Sequence, residues 1–127
     1  MKLTKYYQLQ QEFMSWQRCL EFFKQENALL KYRLSELVDD IEINMNIQTA
    51  EYFQNEFLHV DEMLENFTKS LANFSHISDE KKDSPSVVAS HQLLRERMHE
   101  LGKKWLNLSL EFNMKMSPAA SSIDDIS

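Results

Sequence analysis

Large residues recur along the first part of the chain at alternating steps of three and four. Side chains with this spacing return to the same side of an α-helix, and a continuous apolar side has to be covered by other helices. The pattern therefore predicts one long helix over residues 4–43. Its core-facing series is Tyr6, Leu9, Phe13, Trp16, Leu20, Phe23, Asn27, Leu30, Leu34, Leu37 and Ile41.

Two later segments repeat the spacing and predict two further helices, over residues 47–76 and 85–117. The core-facing series of the first is Ala50, Phe53, Phe57, Val60, Leu64, Phe67, Leu71 and Phe74. That of the second is Val87, His91, Leu94, Met98, Leu101, Trp105, Leu108 and Phe112. Residues 78–84 lie between them, are polar or charged throughout, and predict an exposed loop.

Prolines mark both ends of the third predicted helix. Ser84-Pro85 is typical of a helix start, and Ser117-Pro118 ends the helix because the residue before proline disfavours helical geometry. We expect an all-α fold, namely an elongated antiparallel three-helix bundle with coiled-coil-like heptad packing. The bundle would occupy residues 1–117, and a disordered tail residues 118–127.

The junction between the first two helices contains no Gly or Pro, so the phase of the pattern has to locate the break. Continued in sevens, the first series reaches Asn44 and Gln48, whereas the second series begins at Ala50, out of register. One continuous helix could not present both series to the same partner. We therefore predict a tight turn over residues 44–46 with an Asn as helix cap. A single long, kinked helix is the alternative.

Composition supports long regular elements and narrows the classes of partner. The 127 residues include one Gly and two Pro, and 43% of them are hydrophobic. A net charge of −6 disfavours nonspecific binding to nucleic acid or anionic membranes, which both favour basic surfaces. No apolar run has membrane-spanning length, and no secretory signal is recognisable. With a single cysteine, Cys19, which we expect to be buried, the chain is predicted to be cytoplasmic.

A pair of Glu-x-x-His motifs is the sequence pattern that most suggests chemistry, because each could supply metal ligands. Glu56 with His59, and Glu96 with His99, have the spacing found in helical bundles that hold two iron or manganese ions. The phase of the core-facing series, however, directs His59, Glu96 and His99 outward, and Glu56 only borders the core. A metal-binding bundle is therefore the alternative hypothesis.

No other pattern indicates an active site. Cys19 has no His close to it in sequence, and a single glycine cannot supply a Gly-rich phosphate loop. We predict that the protein is not an enzyme and has no cofactor.

Two polar residues interrupt the core-facing series. A buried Asn in such a position fixes the register of helix packing and the oligomeric state, and we predict this role for Asn27. His91 is expected to be a hydrogen-bonded core residue, since no second His or Cys stands at a metal-ligand spacing from it.

The second and third predicted helices differ in charge. Glu56 and Asp61 flank the core-facing series of the second helix, and Arg95, Arg97 and Lys104 flank that of the third. Charges at such positions set partner choice and orientation. We expect the acidic and basic helices to pair within the chain.

Further apolar residues lie outside the core-facing series of every predicted helix. They are Phe22, Leu29, Tyr52, Leu58, Leu106, Leu110 and Met114. They could belong to the edge of the core, because broad apolar faces are common in bundles. Residues of this size also form association surfaces. We predict an interaction surface of Phe22, Leu29, Leu106 and Leu110, used by a homo-oligomer or by another helical protein.

Part of the sequence resembles a family of small helical bacterial proteins of Bacteroidetes type. The residues concerned are Trp16, Leu20, Phe22, Glu26, Leu30, Arg33-Leu34 and Glu36, followed by Glu51-x-Phe53-Gln54-Asn55-x-Phe57. The family is uncharacterised, so the resemblance implies no activity and no site residues. Glu51, Gln54 and Asn55 are predicted to make cap contacts at the first turn or to mark a recognition surface. We expect a non-catalytic helical interaction or scaffold protein.

Overall fold

The chain folds into three α-helices that share one apolar core. The structure is a computed structural model that describes residues 2–40, 43–80 and 85–116, with side chains described for residues 7–40, 43–74 and 85–116. The helices are α1 (Lys2–Asp39), α2 (Ile47–Glu80) and α3 (Pro85–Met116). The predicted all-α three-helix bundle is confirmed. Among the described helices, none combines the length and the apolar character needed to cross a membrane.

Contacts between aromatic rings give the direction of each helix. Phe13 near the start of α1 packs on Phe74 near the end of α2, with ring centroids 6.4 Å apart. Phe74 also packs on His91 near the start of α3, at 5.6 Å. At the opposite end of the bundle, Phe53 of α2 meets Phe112 of α3 edge-on at 5.1 Å. Successive helices are therefore antiparallel, as predicted.

Like α3, where seven of the eight core-facing residues are buried, α2 buries its core-facing positions more completely than α1 does. The buried members of α2 are Phe53, Phe57, Val60, Leu64, Phe67, Leu71 and Phe74. Among the α1 side chains that the structure describes, Trp16, Leu20, Asn27 and Leu34 are buried, whereas Phe13, Phe23, Leu30 and Leu37 are partly buried. Helix α2 packs along both other helices, while α1 and α3 contact each other much less. The groove between α1 and α3 is consequently the more open side of the bundle.

The first turn forms where the phase of the pattern predicts it. Asn46 Oδ1 accepts a hydrogen bond from the backbone N–H of Gln48 at 2.7 Å and so caps α2. Asn44 has a left-handed backbone with φ of 47°, which is incompatible with a continuing helix. The predicted Asn cap is confirmed, and the single kinked helix is wrong. Helix α1 ends at Asp39 rather than residue 43, because the adjacent carboxylates Asp39 and Asp40 oppose the negative end of the helix dipole.

The end of α2 differs from the prediction by a few residues. Helix α2 continues to Glu80 rather than residue 76, so residues 78–80 are helical and not part of a loop. That run contains no Gly or Pro, and charged residues alone do not stop a helix. Helix α3 begins at Pro85 as predicted and spans Pro85–Met116, and residue 117, the predicted last residue of this helix, lies outside the described residues. Residues 81–84 and the predicted tail over 118–127 lie outside the described residues.

Candidate functional site

The predicted interaction residues are exposed on the folded bundle. On α1, Phe22 is 52% exposed and Leu29 is 60% exposed; on α3, Leu106 is 52% and Leu110 is 53% exposed. Single exposed apolar side chains are ordinary on protein surfaces, whereas contiguous groups of them mark interaction sites. The relative placement of these four residues therefore decides whether they are ordinary surface residues or an interaction site.

Phe22 and Leu29 border the groove between α1 and α3. Phe22 meets Trp105 of α3 edge-on, with ring centroids 6.1 Å apart, so Phe22 lies on the side of α1 that faces α3. Leu29 follows seven residues later, which is about two helical turns, and so lies on the same side of α1.

Leu106 and Leu110 border the same groove from α3. The ring of Phe23 packs on Gly102, with a ring carbon 3.7 Å from the position that a Cβ would occupy. Leu106 follows Gly102 by four residues, one helical turn, and therefore projects from the side of α3 nearest α1. Leu110 follows one turn later, further toward the outer face.

The two helices also bring these residues to similar heights. Side chains of α1 and α3 that contact each other stand about 80 positions apart in sequence, such as Glu12 with His91 and Arg95 at separations of 79 and 83. Leu29 and Leu110 stand 81 positions apart, within that range. Phe22, Leu29, Leu106 and Leu110 thus stand at similar heights on the two helices that border the α1–α3 groove, and "apolar strip" denotes these four residues below.

Aromatic rings form the floor of this groove. Phe23 and Trp105 pack with centroids 5.3 Å apart, and both are partly buried. The indole Nε1 of Trp105 is buried and makes no hydrogen bond within the described part of the chain. The groove therefore offers a partner mainly apolar and aromatic surface.

Asn27 is fully buried and joins α1 to α2 through two hydrogen bonds. Its side-chain amide donates to the backbone oxygen of Phe57 at 3.0 Å and to Asp61 Oδ1 at 2.7 Å. The ammonium of Lys31 binds the other oxygen of Asp61 at 2.5 Å. Such directional contacts are satisfied only when α1 and α2 are aligned at this height, which supports the predicted role of Asn27 in register.

His91 is enclosed by aromatic rings and by an ion pair. Its ring packs on Trp16 with centroids 4.7 Å apart, and it is only 1% exposed. Its Nε2 lies 3.3 Å from Glu12 Oε1, and Arg95 donates two hydrogen bonds to the same carboxylate at 2.5 and 2.8 Å. The bond from Arg95 holds the pKa of Glu12 below its usual value. His91 is therefore the hydrogen-bonded core residue that the sequence predicts.

Lowering the pH from about 7 to about 5 is expected to destabilise the protein through His91. Burial lowers the pKa of His91 below 6.5, and the nearby Glu12 only partly offsets this. The unfolded chain takes up the proton first, so the free energy of unfolding falls as the pH drops through 6.5 toward the lower folded-state pKa. Urea unfolding followed by circular dichroism at several pH values measures this loss.

The variant His91→Phe should remove most of that pH dependence, because phenylalanine fills the aromatic site without titrating. His59→Gln, at an exposed histidine, is the matched control and should leave the dependence unchanged. An unaltered pH dependence in His91→Phe would assign the effect to other groups.

The predicted pairing of α2 with α3 is right at one position and wrong at two. Lys104 of α3 binds Glu56 of α2 at 2.5 Å, as expected. Asp61 and Arg95 instead bind side chains of α1. Both stand on the edge of their helix that faces α1, so α1 offers the nearer partner.

The α1 partners of these ion pairs, Glu12 and Lys31, were not singled out by the sequence patterns. Glu12 directly precedes the core-facing Phe13, and Lys31 directly follows the core-facing Leu30. Interhelical ion pairs form at such flanking positions. A comparison of the charges that flank the core-facing series of α1 with those that flank the other two series would have identified Glu12 and Lys31 as ion-pair partners.

The four residues of the metal-binding hypothesis are not assembled into a site. His59, Glu96 and His99 are exposed, and Glu56 is engaged by Lys104. Within the residues that the structure describes, no three His, Cys, Asp or Glu side chains form a group that could hold a metal ion.

The predicted burial of Cys19 is wrong, and the recognition surface that is one alternative for Glu51, Gln54 and Asn55 stays a prediction. Cys19 is exposed and not buried, because it lies beside the core-facing series on the open side of α1. The α2 cap at the first turn is Asn46, and Gln54 lines a shallow surface groove between α1 and α2.

Comparisons with known proteins give no independent indication of the function. The resemblance to small helical bacterial proteins stays a prediction. Comparison of the chain with known protein families, with curated proteins and with solved structures finds no match.

Proposed function

We propose that this protein is a non-catalytic helical interaction module that self-associates through the apolar strip. The observation that supports this most strongly is the placement of four large apolar side chains, each more than half exposed, along one groove. Their placement on α1 and α3 gives a second helix an apolar surface to cover.

Burial of this surface supplies the driving force. Removing apolar area from water contributes about 25 cal/mol per Å². Docking would also complete the cover of Phe23, Leu30 and Leu37, which face the core but remain partly exposed in the single chain. Association would therefore extend the existing core into a larger one.

Other features support a role without catalysis. The buried His91 and its neighbour Glu12 are engaged with each other and with Arg95, so these titratable groups serve packing. The net charge of −6 supports a protein partner over nucleic acid or an anionic membrane, and a cytoplasmic location accords with the composition.

Native mass spectrometry of protein purified without chelator tests the proposal. The expected result is a metal-free dimer or higher oligomer. The double variant Phe22→Lys with Leu110→Lys should shift the protein to monomer while circular dichroism still reports a folded helical chain. Stoichiometric metal would instead favour the metal-binding alternative, and a monomeric wild type at all concentrations would contradict self-association.

Control variants distinguish an effect of the strip from a general effect of placing lysines at exposed leucines. Leu58→Lys with Leu93→Lys places the same charges at leucines of α2 and α3 that are 50% and 49% exposed, and should leave the oligomer intact. Leu29→Lys tests the strip at its most exposed member. If Phe22→Lys with Leu110→Lys and Leu29→Lys all unfold the chain, these residues belong to the core and the proposal fails.

A further inference from the structure

We infer that the second copy docks with its α1 antiparallel to α1 of the first, so that Glu26 of each copy pairs with Arg33 of the other. This inference rests on the proposed self-association and specifies its geometry. The observation behind it is the placement of two opposite charges within the line of the apolar strip.

Glu26 and Arg33 lie on the same side of α1 as the strip residues Phe22 and Leu29. The four positions follow one another at steps of four, three and four, which keeps them on one face of a helix. Glu26 is partly exposed and Arg33 is exposed. Neither forms an ion pair within the part of the chain whose side chains the structure describes. They stand seven residues apart, about 10 Å along the helix, and are too distant to pair with each other.

A two-fold axis turns this pair of charges into a self-complementary surface. In an isologous antiparallel contact, a residue before the axis meets the residue equally far beyond it on the other copy. The midpoint between Glu26 and Arg33 falls between Leu29 and Leu30, at the Leu29 end of the strip. Placing the axis there joins each Glu26 to an Arg33 and brings the two Leu29 side chains together.

A parallel contact over the same face has the opposite electrostatics. It would place Glu26 beside Glu26 and Arg33 beside Arg33 of the second copy, and like charges across an interface weaken binding. Leu110 stands at the height of Leu29, so α3 borders the antiparallel contact near its centre. The expected assembly is a dimer with the two α1 helices in the middle and an α3 on each side.

Charge reversal tests the pairing. Glu26→Arg and Arg33→Glu should each weaken the homodimer about tenfold or more, because each creates two like-charge contacts. An equimolar mixture of the two variants should form a heterodimer of near wild-type affinity, since every contact is then between opposite charges. Light scattering after size exclusion and native mass spectrometry measure both. Glu62→Arg and Arg97→Glu, at exposed sites of α2 and α3, are the matched controls.

The single cysteine reports the orientation without any added substitution. Cys19 is exposed and can carry a spin label. About the proposed axis, the two Cys19 sites stand 21 residues apart along the helices, so pulsed electron resonance should give a separation near 30 Å. A parallel dimer would bring the two labels side by side and overturn the inference.

The outcomes distinguish this geometry from the proposed function. A dimer that is broken by Lys substitutions in the strip but unaffected by both charge reversals would retain the function and reject the pairing. A wild-type protein that stays monomeric at all concentrations would reject both.

Discussion

Replacing Phe57 with alanine is expected to lower the free energy of unfolding by about 3–5 kcal/mol. Phe57 is fully buried on α2, packs on Phe53 with ring centroids 6.2 Å apart, and meets Phe112 of α3 edge-on at 5.2 Å. Truncation removes contacts with two helices and leaves a cavity that packed rings cannot readily fill. Since a domain of this size is stable by about 5–15 kcal/mol, the loss should be large in urea unfolding followed by circular dichroism.

The neighbouring residue provides the control for Phe57→Ala. Leu58 is 50% exposed and belongs to the same helix, so Leu58→Ala should cost less than about 1 kcal/mol. Equal losses in the two variants would contradict the burial pattern of α2, and with it the assignment of the core-facing series.

The core-facing series predicts the helices well because burial requires a repeated spacing, and α2 follows that spacing without exception from Phe53 to Phe74. The spacing does not show which helix lies in contact with both others. All three series look alike in sequence, yet α2 is covered from two sides and α1 mainly from one. The partial burial of Phe23 and Leu30 is a consequence of that arrangement and has no local signal.

Charges beside the core were harder to assign for a related reason. Three helices can be arranged in a left-handed or a right-handed bundle with the same residues buried. The handedness decides which edge of α2 faces α1 and which faces α3. Asp61 faces Lys31 on α1, and Glu56 on the other edge faces Lys104 on α3. The sequence shows that both acids flank the core but does not show which helix each one meets.

The sequence predicts the residues of the candidate surface but not their relative placement. Phe22 and Leu110 stand out because they are large, apolar and off the core-facing series. That α1 and α3 bring them to one groove depends on the interhelical contact between Phe22 and Trp105, which is a property of the folded chain. Cys19 was misplaced because the open side of α1 leaves a residue exposed that a tighter bundle would cover.

Changing Asn27 to aspartate should destabilise the protein by about 3–5 kcal/mol at neutral pH, although the two side chains have nearly the same shape. The buried amide of Asn27 donates to the oxygen of Phe57 and to the carboxylate of Asp61 at 2.7 Å. A carboxylate in its place donates nothing when ionised and lies beside a second negative charge. Lys31 already binds Asp61, so it cannot fully neutralise both groups.

The pH dependence of Asn27→Asp identifies the cause of the loss. Burial and the charge of Asp61 raise the folded-state pKa of the introduced carboxyl group above the roughly 3.9 of an unfolded chain. The native state then takes up this proton first, so the deficit relative to wild type should shrink as the pH falls through the raised pKa and level off near 3.9. Asn55→Asp, at an exposed position of α2, makes the same chemical change and should show neither the loss nor the recovery. A deficit in Asn27→Asp that is constant with pH would mean that lost packing or hydrogen bonding, and not a buried charge, explains why this position requires a neutral amide.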